Sequence, residues 1–245
     1  MPARSDESGD TINVPRRRKL YGRRKGPKLS SHQASLVATL LPRLKLSFRE
    51  NANPAEYFGC DVDDVWLEIG FGAGEHALWQ VEHHPHIGII GAEPYESGVA
   101  KLLSKLDCAA ARVRESLLAR LRIHPGDAGE LIERIPDASL GRVFLLFPDP
   151  WPKKRHHKRR FIQDDTLTAL ARVMKRGAEF RFASDDPDYV AWTLERVIAH
   201  GAFAWTASGP DDWLSRPDDW PSTRYEQKAL HGTPAFLRFV RQKAR

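Results

Sequence analysis

From Val65 onward, short apolar runs alternate with amphipathic stretches, and this alternation limits the fold more than any other feature. "VWLEIG", "HIGIIGAE", "LRIH", "RVFLLF" and "AEFRFAS" have the length and the β-branched or aromatic content of strands. Between them, segments such as "GVAKLLSKL" and "DTLTALARVM" repeat apolar residues at helical spacing. Strands this continuously apolar are covered on both sides, and strand–helix alternation brings successive strands parallel. The expected architecture is α/β, a mostly parallel sheet with helices on both faces. Two later runs, "FAWTA" and "AFLRFVR", are candidates for further strands at the sheet edge.

The 245 residues suffice for one such domain with an extra arm. Residues 1–30 read as the arm. "PRRRKLYGRRKGPKLS" is dense in Arg, Lys, Gly and Pro and poor in core formers. Residues 31–245 read as a single domain. A helix is expected to begin after Ser30 or Ser31, either of which can cap it. Leu36, Val37, Leu40, Leu41 and Leu44 follow helical spacing, which Pro42 should kink or end.

The formal net charge of +6 and the pI near 9.4 point to an anionic partner, nucleic acid being the usual one. Two cysteines, Cys60 and Cys108, form no CxxC pair and suit a reducing cytoplasm. The opening "MPARSDESGD" is not a secretory signal, and no run approaches the roughly 18 to 20 apolar residues of a membrane span. A cytoplasmic protein with no membrane association is expected, and nothing calls for an obligatory protein partner.

"LEIGFGAGEH" places Gly70, Gly72 and Gly74 between a strand and a helix. A dinucleotide fingerprint, G-x-G-x-x-G, would put its third glycine where Glu75 stands. A pyrophosphate would find Glu68 and Glu75 poor neighbours. A sulfonium and an ammonium would not, so the loop suits S-adenosylmethionine better than a dinucleotide. Glu93 ends the next strand, 19 positions after Gly74, near the spacing at which an acid meets a ribose. Asp127, in "HPGDAGELIERI", could accept from an adenine amino group or cap the helix with Glu130; the two roles are compatible.

The fourth strand delivers "PDPWPKKRHHKRR". Prolines 148, 150 and 152 fix φ around Asp149, so the backbone there has few alternatives. The amino-methylating pattern is D/N-P-P followed by an aromatic; here it is D-P-W-P, which argues for a different acceptor geometry. The basic run beside it and the basic arm could clamp a polyanion together. In "SDDPDYVAW", Pro187 suits a first helical position and Asp186 its cap, leaving Asp185 to face a substrate. Thr223 and Glu226 have capping-box spacing, but the Gly and Pro of "QKALHGTP" argue against a simple cap. "HHPH" at 83–86 and His156–His157 lack companion ligands and read as surface histidines, so no metal is expected.

With "YGRRKG", "LEIGFGAGEH", "FPDPWPKKRHHKRR", "ASDDPDY" and "TRYEQKALHGTP" in one chain, the sequence resembles the bacterial tRNA (guanine-N7-)-methyltransferases from about Tyr21 to its end. The resemblance implies a Rossmann-like class I methyltransferase fold of seven strands, the last antiparallel. It implies S-adenosylmethionine as donor, S-adenosylhomocysteine as product, and a guanosine of the tRNA variable loop as acceptor. It implies donor contacts from Glu68, Glu93, Asp127 and Asp149, with Asp149 catalytic. It further implies substrate contacts from Lys153, Asp185, Thr223, Arg224, Tyr225 and Glu226. Pro94 departs from many relatives, which carry a β-branched residue after the acid; only the ribose pocket is affected. The alternatives are an amino-group RNA methyltransferase and an inactive tRNA-binding protein, the latter opposed by the intact acidic set.

Overall fold

The computed structural model describes residues 21–22, 24, 26–49, 52–223, 226 and 232–242. Its first helix, α1 (Ser31–Thr39), begins as expected. Ser30 Oγ accepts from Gln33 N, and Gln33 returns the bond to Ser30 N, both at 3.2 Å. The chain then breaks, and Pro42 sits in the first turn of α2 (Leu41–Leu44), where its missing N–H costs nothing. The remaining elements follow in the order β1 (Asp64–Ile69), α3 (Glu75–His83), β2 (Ile87–Ala92), α4 (Glu96–Cys108), α5 (Ala111–Arg120) and β3 (Leu121–His124). After these come α6 (Ala128–Arg134), β4 (Leu140–Leu146), α7 (Asp164–Val173), β5 (Met174–Ser184) and α8 (Pro187–His200). The chain closes with β6 (Phe203–Trp205), α9 (Asp211–Leu214) and β7 (Ala235–Arg241).

The sheet has seven strands in the order β3-β2-β1-β4-β5-β7-β6. Strands β1 to β5 are mutually parallel, and β7 runs antiparallel to β5 and β6. Register aligns the C-terminal ends: Ile69 lies beside Ala92 and Leu145, Ala92 beside His124, and Leu145 beside Phe182. The order reverses direction between β1 and β4, and open α/β sheets bind ligands at such a switch point.

Each face has its own core. Leu131 of α6, Leu170 of α7 and Val197 of α8 pack with Val65, Val143 and Phe180 on one side. Leu36 of α1, Val81 of α3, Leu103 of α4 and Leu118 of α5 pack with Trp66, Ile89 and Phe144 on the other. Alternate residues of β1 and β4 therefore feed opposite cores, as a doubly covered strand requires. One boundary differs from the sequence reading. "DTLTALARVM" ends as a helix at Val173, and Met174 already belongs to β5, pairing with Leu140 before a register shift. The strand thus begins well ahead of "AEFRFAS", because pairing with β4 outweighs the local helical pattern. No helix among the described residues is long and apolar enough to cross a membrane.

A polar network crosses β4, β5 and β7. Arg181, 2% exposed, donates to Glu179 at 2.7 and 3.0 Å and to Asp219 at 2.8 and 2.9 Å. Arg142 and Arg238 also pair with Glu179, at 3.0 and 2.7 Å. Burial pushes the Glu179 carboxyl upward, but the Arg238 hydrogen bond and the charges of Arg181 and Arg142 outweigh it, leaving it below its ordinary value. Asp219 is lowered in the same way: burial opposes, and the Arg181 bond and charge prevail. Lowered acids stabilise the fold above their unfolded values, and that contribution disappears as pH falls through the folded ones. Glu179→Gln should therefore destabilise the protein by about 1–3 kcal/mol near neutral pH. In urea melts, the gap between variant and parent should narrow as pH falls below about 4. A gap that stays constant down to acid pH would mean that charge is not what Glu179 contributes.

Candidate active site

Glu68, Glu93, Asp127, Asp149 and Asp185 lie at or just beyond the C-terminal ends of parallel strands, whereas Glu226 lies between α9 and β7. After β1, Gly70, Gly72 and Gly74 have φ of 73°, 58° and 75°, a left-handed region that side chains resist. A Cβ at Gly70 would meet nothing within 4 Å, so the space above the loop is open. The loop passes close under α4: a Cβ at Gly98 would lie 2.5 Å from the Gly72 carbonyl oxygen and 3.3 Å from Glu93 Cγ. Gly98 was not picked out from the sequence, although a glycine within a helical pattern is itself a signal of close approach.

Glu93 follows β2 and is 7% exposed. One carboxylate oxygen accepts from Gly72 N and the other from Tyr95 N, both at 2.8 Å, tying the loop to the start of α4. Burial raises its pKa above the ordinary 4.5, the two backbone donors pull it down, and the charges of Asp149 and Glu68 raise it again. Asp149 and Glu68 thus lie close enough to Glu93 to repel its charge. Among the described residues, neither Glu93 nor Asp149 has a cationic partner.

Glu68, 3% exposed, faces a partner the sequence did not suggest: His76 Nδ1, 2.9 Å away on α3. Gln80 Nε2 lies 3.1 Å from His76 Nε2 and donates to the Asp219 carbonyl at 2.8 Å. An amide nitrogen can only donate, so His76 Nε2 accepts and its Nδ1–H donates to Glu68. Asp127 caps α6, accepting from Gly129 N at 2.8 Å, and Glu130 is not drawn into that cap.

After β4 the chain enters its most strained stretch. Phe147 and Trp151 have φ of 47° and 49°, and each precedes a proline. Non-glycine residues in this region cost about 1–3 kcal/mol apiece and persist only where surroundings dictate them. Phe147 N donates to Ala183 O at 2.8 Å, pinning the entry to β5. Between the strained residues Asp149 is exposed, and Lys153 beyond it is exposed too. Asp185 and Asp186 follow β5; Asp186 caps α8 by accepting from Tyr189 N at 2.8 Å, as expected, and Asp185 stays at the rim. Gly232 returns the chain to this point, its would-be Cβ 3.1 Å from Asp185 O.

Thr223 and Glu226 correct the sequence reading. Thr223 Oγ1 accepts from Glu226 N at 3.2 Å, and the Glu226 carboxylate accepts from Thr223 N at 3.4 Å and pairs with Arg216 at 2.9 Å. The capping pattern is real because it needs only one turn of backbone, whatever Gly and Pro do further on. Arg224 and Tyr225 lie outside the described residues.

Comparisons with known proteins agree with this arrangement. A family model described as "Putative methyltransferase" matches residues 63–237. A tRNA (guanine-N(7)-)-methyltransferase of Ruegeria sp. (strain TM1040) is 49% identical over 236 residues, covering 92% of this chain and 88% of that one. One from Rhodospirillum rubrum is 46% identical over 231 residues, with 91% and 88% covered. Among solved structures, the 16S rRNA methyltransferase KamB aligns at TM-score 0.55 and 18% identity, with 82% and 98% covered. A 16S rRNA (adenine(1408)-N(1))-methyltransferase from Catenulisporales acidiphilia aligns at TM-score 0.52 and 18% identity, with the same coverage. These last two share the fold alone. At such identity over nearly its whole length, the chain belongs to the tRNA (guanine-N(7)-)-methyltransferase family.

Proposed function

We propose that this protein transfers a methyl group from S-adenosylmethionine to N7 of a guanosine in tRNA, within the variable loop. The observation that carries the reading is the group of acids at the switch point: Glu68 and Asp149 repel the charge of buried Glu93 beside an open glycine loop, and no cation among the described residues answers Glu93 or Asp149. A ligand with positive charge relieves that repulsion. S-adenosylmethionine supplies an electrophilic methyl group on a positively charged sulfur, and the residues present fit it. Glu93 keeps free lone pairs for ribose hydroxyls, Asp127 stands at the next strand end for the adenine, and Gly70, Gly72 and Gly74 let backbone come close. Glu68 contributes its charge from beneath the loop while holding His76.

Guanine N7 carries a lone pair in the ring plane and no hydrogen, so no base has to deprotonate it. The protein's task is positioning and electrostatics. The purine gains positive charge as the methyl arrives, and Asp149, held between two strained residues, is placed to stabilise it. Asp185 and Glu226 could accept from guanine N1–H and N2–H, an arrangement adenine cannot satisfy. Lys153 would meet a phosphate or the base O6. Thr223, Arg224 and Tyr225 would complete the acceptor side. The exposed Lys153, Lys154, Arg155 and Lys158 present charge to the RNA backbone beside the loop.

Incubation with labelled donor and unmodified tRNA should give N7-methylguanosine, detected by nucleoside mass spectrometry and by borohydride–aniline scission. Label on adenine or cytosine would refute the assignment. Asp149→Ala should lower the single-turnover rate by about 10²- to 10³-fold while tRNA affinity holds. Equal losses in rate and affinity would leave Asp149 a binding residue only.

Burial holds the Glu93 carboxyl above the ordinary glutamate value. The folded protein holds this proton more tightly than the unfolded chain, so Glu93's contribution to stability declines as pH rises from 4.5 through the raised value. Ribose binding needs the ionised form. Calorimetry with S-adenosylhomocysteine should show affinity weakening as pH drops through that window, at higher pH than an ordinary glutamate would give. Glu93→Gln should bind weakly with a flat profile; a profile like the parent's would exclude Glu93 as the titrating group.

A further inference from the structure

The run after the Pro-Asp-Pro loop holds six lysines and arginines, and the structure divides them. Lys153, Lys154, Arg155 and Lys158 are exposed, Arg159 is half-buried, and Arg160 is 0% exposed. A residue with no accessible surface cannot touch a phosphate backbone. Its Nε instead donates to the carbonyl of Pro150 at 2.8 Å, inside the loop that carries Asp149. Its Nη2 pairs with Asp188 Oδ2 at 2.5 Å, in the first turn of α8. The guanidinium lies over the rings of Tyr189 and Trp192, at 4.8 and 5.2 Å.

Burying a cation is costly, and a buried ion pair is weak evidence of stabilisation for its own sake. What a guanidinium offers is geometry: a rigid planar fork with directed N–H groups and a face that stacks on aromatics. Here the fork joins the loop to the helix that begins two residues beyond Asp185. The same stretch is fastened to α8 at neighbouring points: Phe161 N donates to Tyr189 Oη at 3.0 Å, and Trp192 Nε1 donates to Ile162 O at 2.8 Å. The other end of the loop is held by the bond from Phe147 N to Ala183 O. Between these anchors the backbone is strained at Phe147 and Trp151, and strain of that kind relaxes unless both ends are held.

We infer that Arg160 is a positioning residue for Asp149: it pins the Pro150 carbonyl to α8 and so keeps the strained loop in its methyl-transfer conformation, apart from any role in RNA binding. The inference rests on the methyl-transfer reading above. Lysine has one charged point in place of a fork and cannot hold Pro150 and Asp188 together while stacking on two rings.

The test compares four variants of the full chain with the parent: Arg160→Lys, Arg160→Gly, Asp188→Asn and the double Lys154→Ala/Lys158→Ala. Arg160→Lys should lower kcat by about 10- to 100-fold, with tRNA Kd and its salt dependence as in the parent. Hydrogen exchange should quicken in residues 147–153 while the rest of the sheet stays protected. Asp188→Asn, a surface change that leaves Arg160 in place, should lower kcat less, with the same local exchange. Lys154→Ala/Lys158→Ala should instead weaken tRNA binding and lower the salt slope by about one for each phosphate no longer neutralised. Ethylguanidinium should partly restore kcat to Arg160→Gly. The proposal is overturned if Arg160→Lys behaves like the lysine pair, losing affinity and salt slope at unchanged kcat. It is equally overturned if exchange rises throughout the protein, which would make Arg160 a general stabiliser. A parent that methylates no guanine would refute the function above; the exchange data would still report whether Arg160 holds the loop.

Discussion

Negative charge gathered at the switch point of a sheet, with nothing positive among the described residues to neutralise Glu93 or Asp149, is the constraint on which the rest depends. Parallel strands bring it about by aligning their C-terminal ends, so that Glu93 and Asp149 follow strands on either side of β1. The glycine loop between them cannot offer a side chain in compensation. Burial makes this worse for Glu93, which is why its proton is held above the ordinary value. Such an arrangement is electrostatically unfavourable to the Glu93 charge. The same repulsion explains why Glu93 is fastened by two backbone N–H groups: without them its charge would be harder still to keep.

The loop that carries Asp149 follows a different principle. Asp149 is exposed and little restrained by its own side chain, so its position is set by backbone. Prolines remove alternatives on either side, and two left-handed residues bend the chain where prolines alone would extend it. Strain of this sort has to be upheld from outside, by β5 at one end and α8 at the other. The scaffold of β5 is in turn stiffened by the Arg181 network, which also reaches Asp219 and through its carbonyl Gln80. The glycine-loop end of β1 and the middle of β5 are therefore joined by a continuous path: Glu68, His76, Gln80, Asp219 and Arg181.

Much of this was legible in the sequence. The five parallel strands announced themselves as apolar runs, because a doubly covered strand has no polar face to hide it. Glu93, Asp127, Asp149 and Asp185 were legible because each follows such a run, and Glu68 because it sits inside one. Less legible was whatever depends on which way a side chain turns. Glu68 was correctly placed beside the glycines, yet no spacing rule links it to His76, which meets it across a strand–loop–helix turn. Thr223 and Glu226 were discounted as a cap because the following residues disfavour a long helix, although a cap needs only one turn. Met174 was assigned to a helix by its local pattern and claimed for β5 by a neighbour more than thirty positions away in sequence, Leu140. Helix α5, rich in arginine and short of apolar residues, carried too weak a stripe to be singled out.

The basic run shows most sharply where one-dimensional reading fails. Six cations in eight positions, 153 to 160, look alike as a string, and charge density alone assigns them all to a polyanion. Folding sorts them by burial. A short 3-10 turn over Lys154–Arg159 sends its lysines outward, lets Arg159 sit over Trp151 and Tyr21, and delivers Arg160 into the protein beneath the loop. One end of the run is then open to solvent and the other is tied to the Asp149 loop, at no distance in sequence. A charge run next to a strained loop is thus two devices in one segment, and only the accessible surface of each residue tells which device it belongs to.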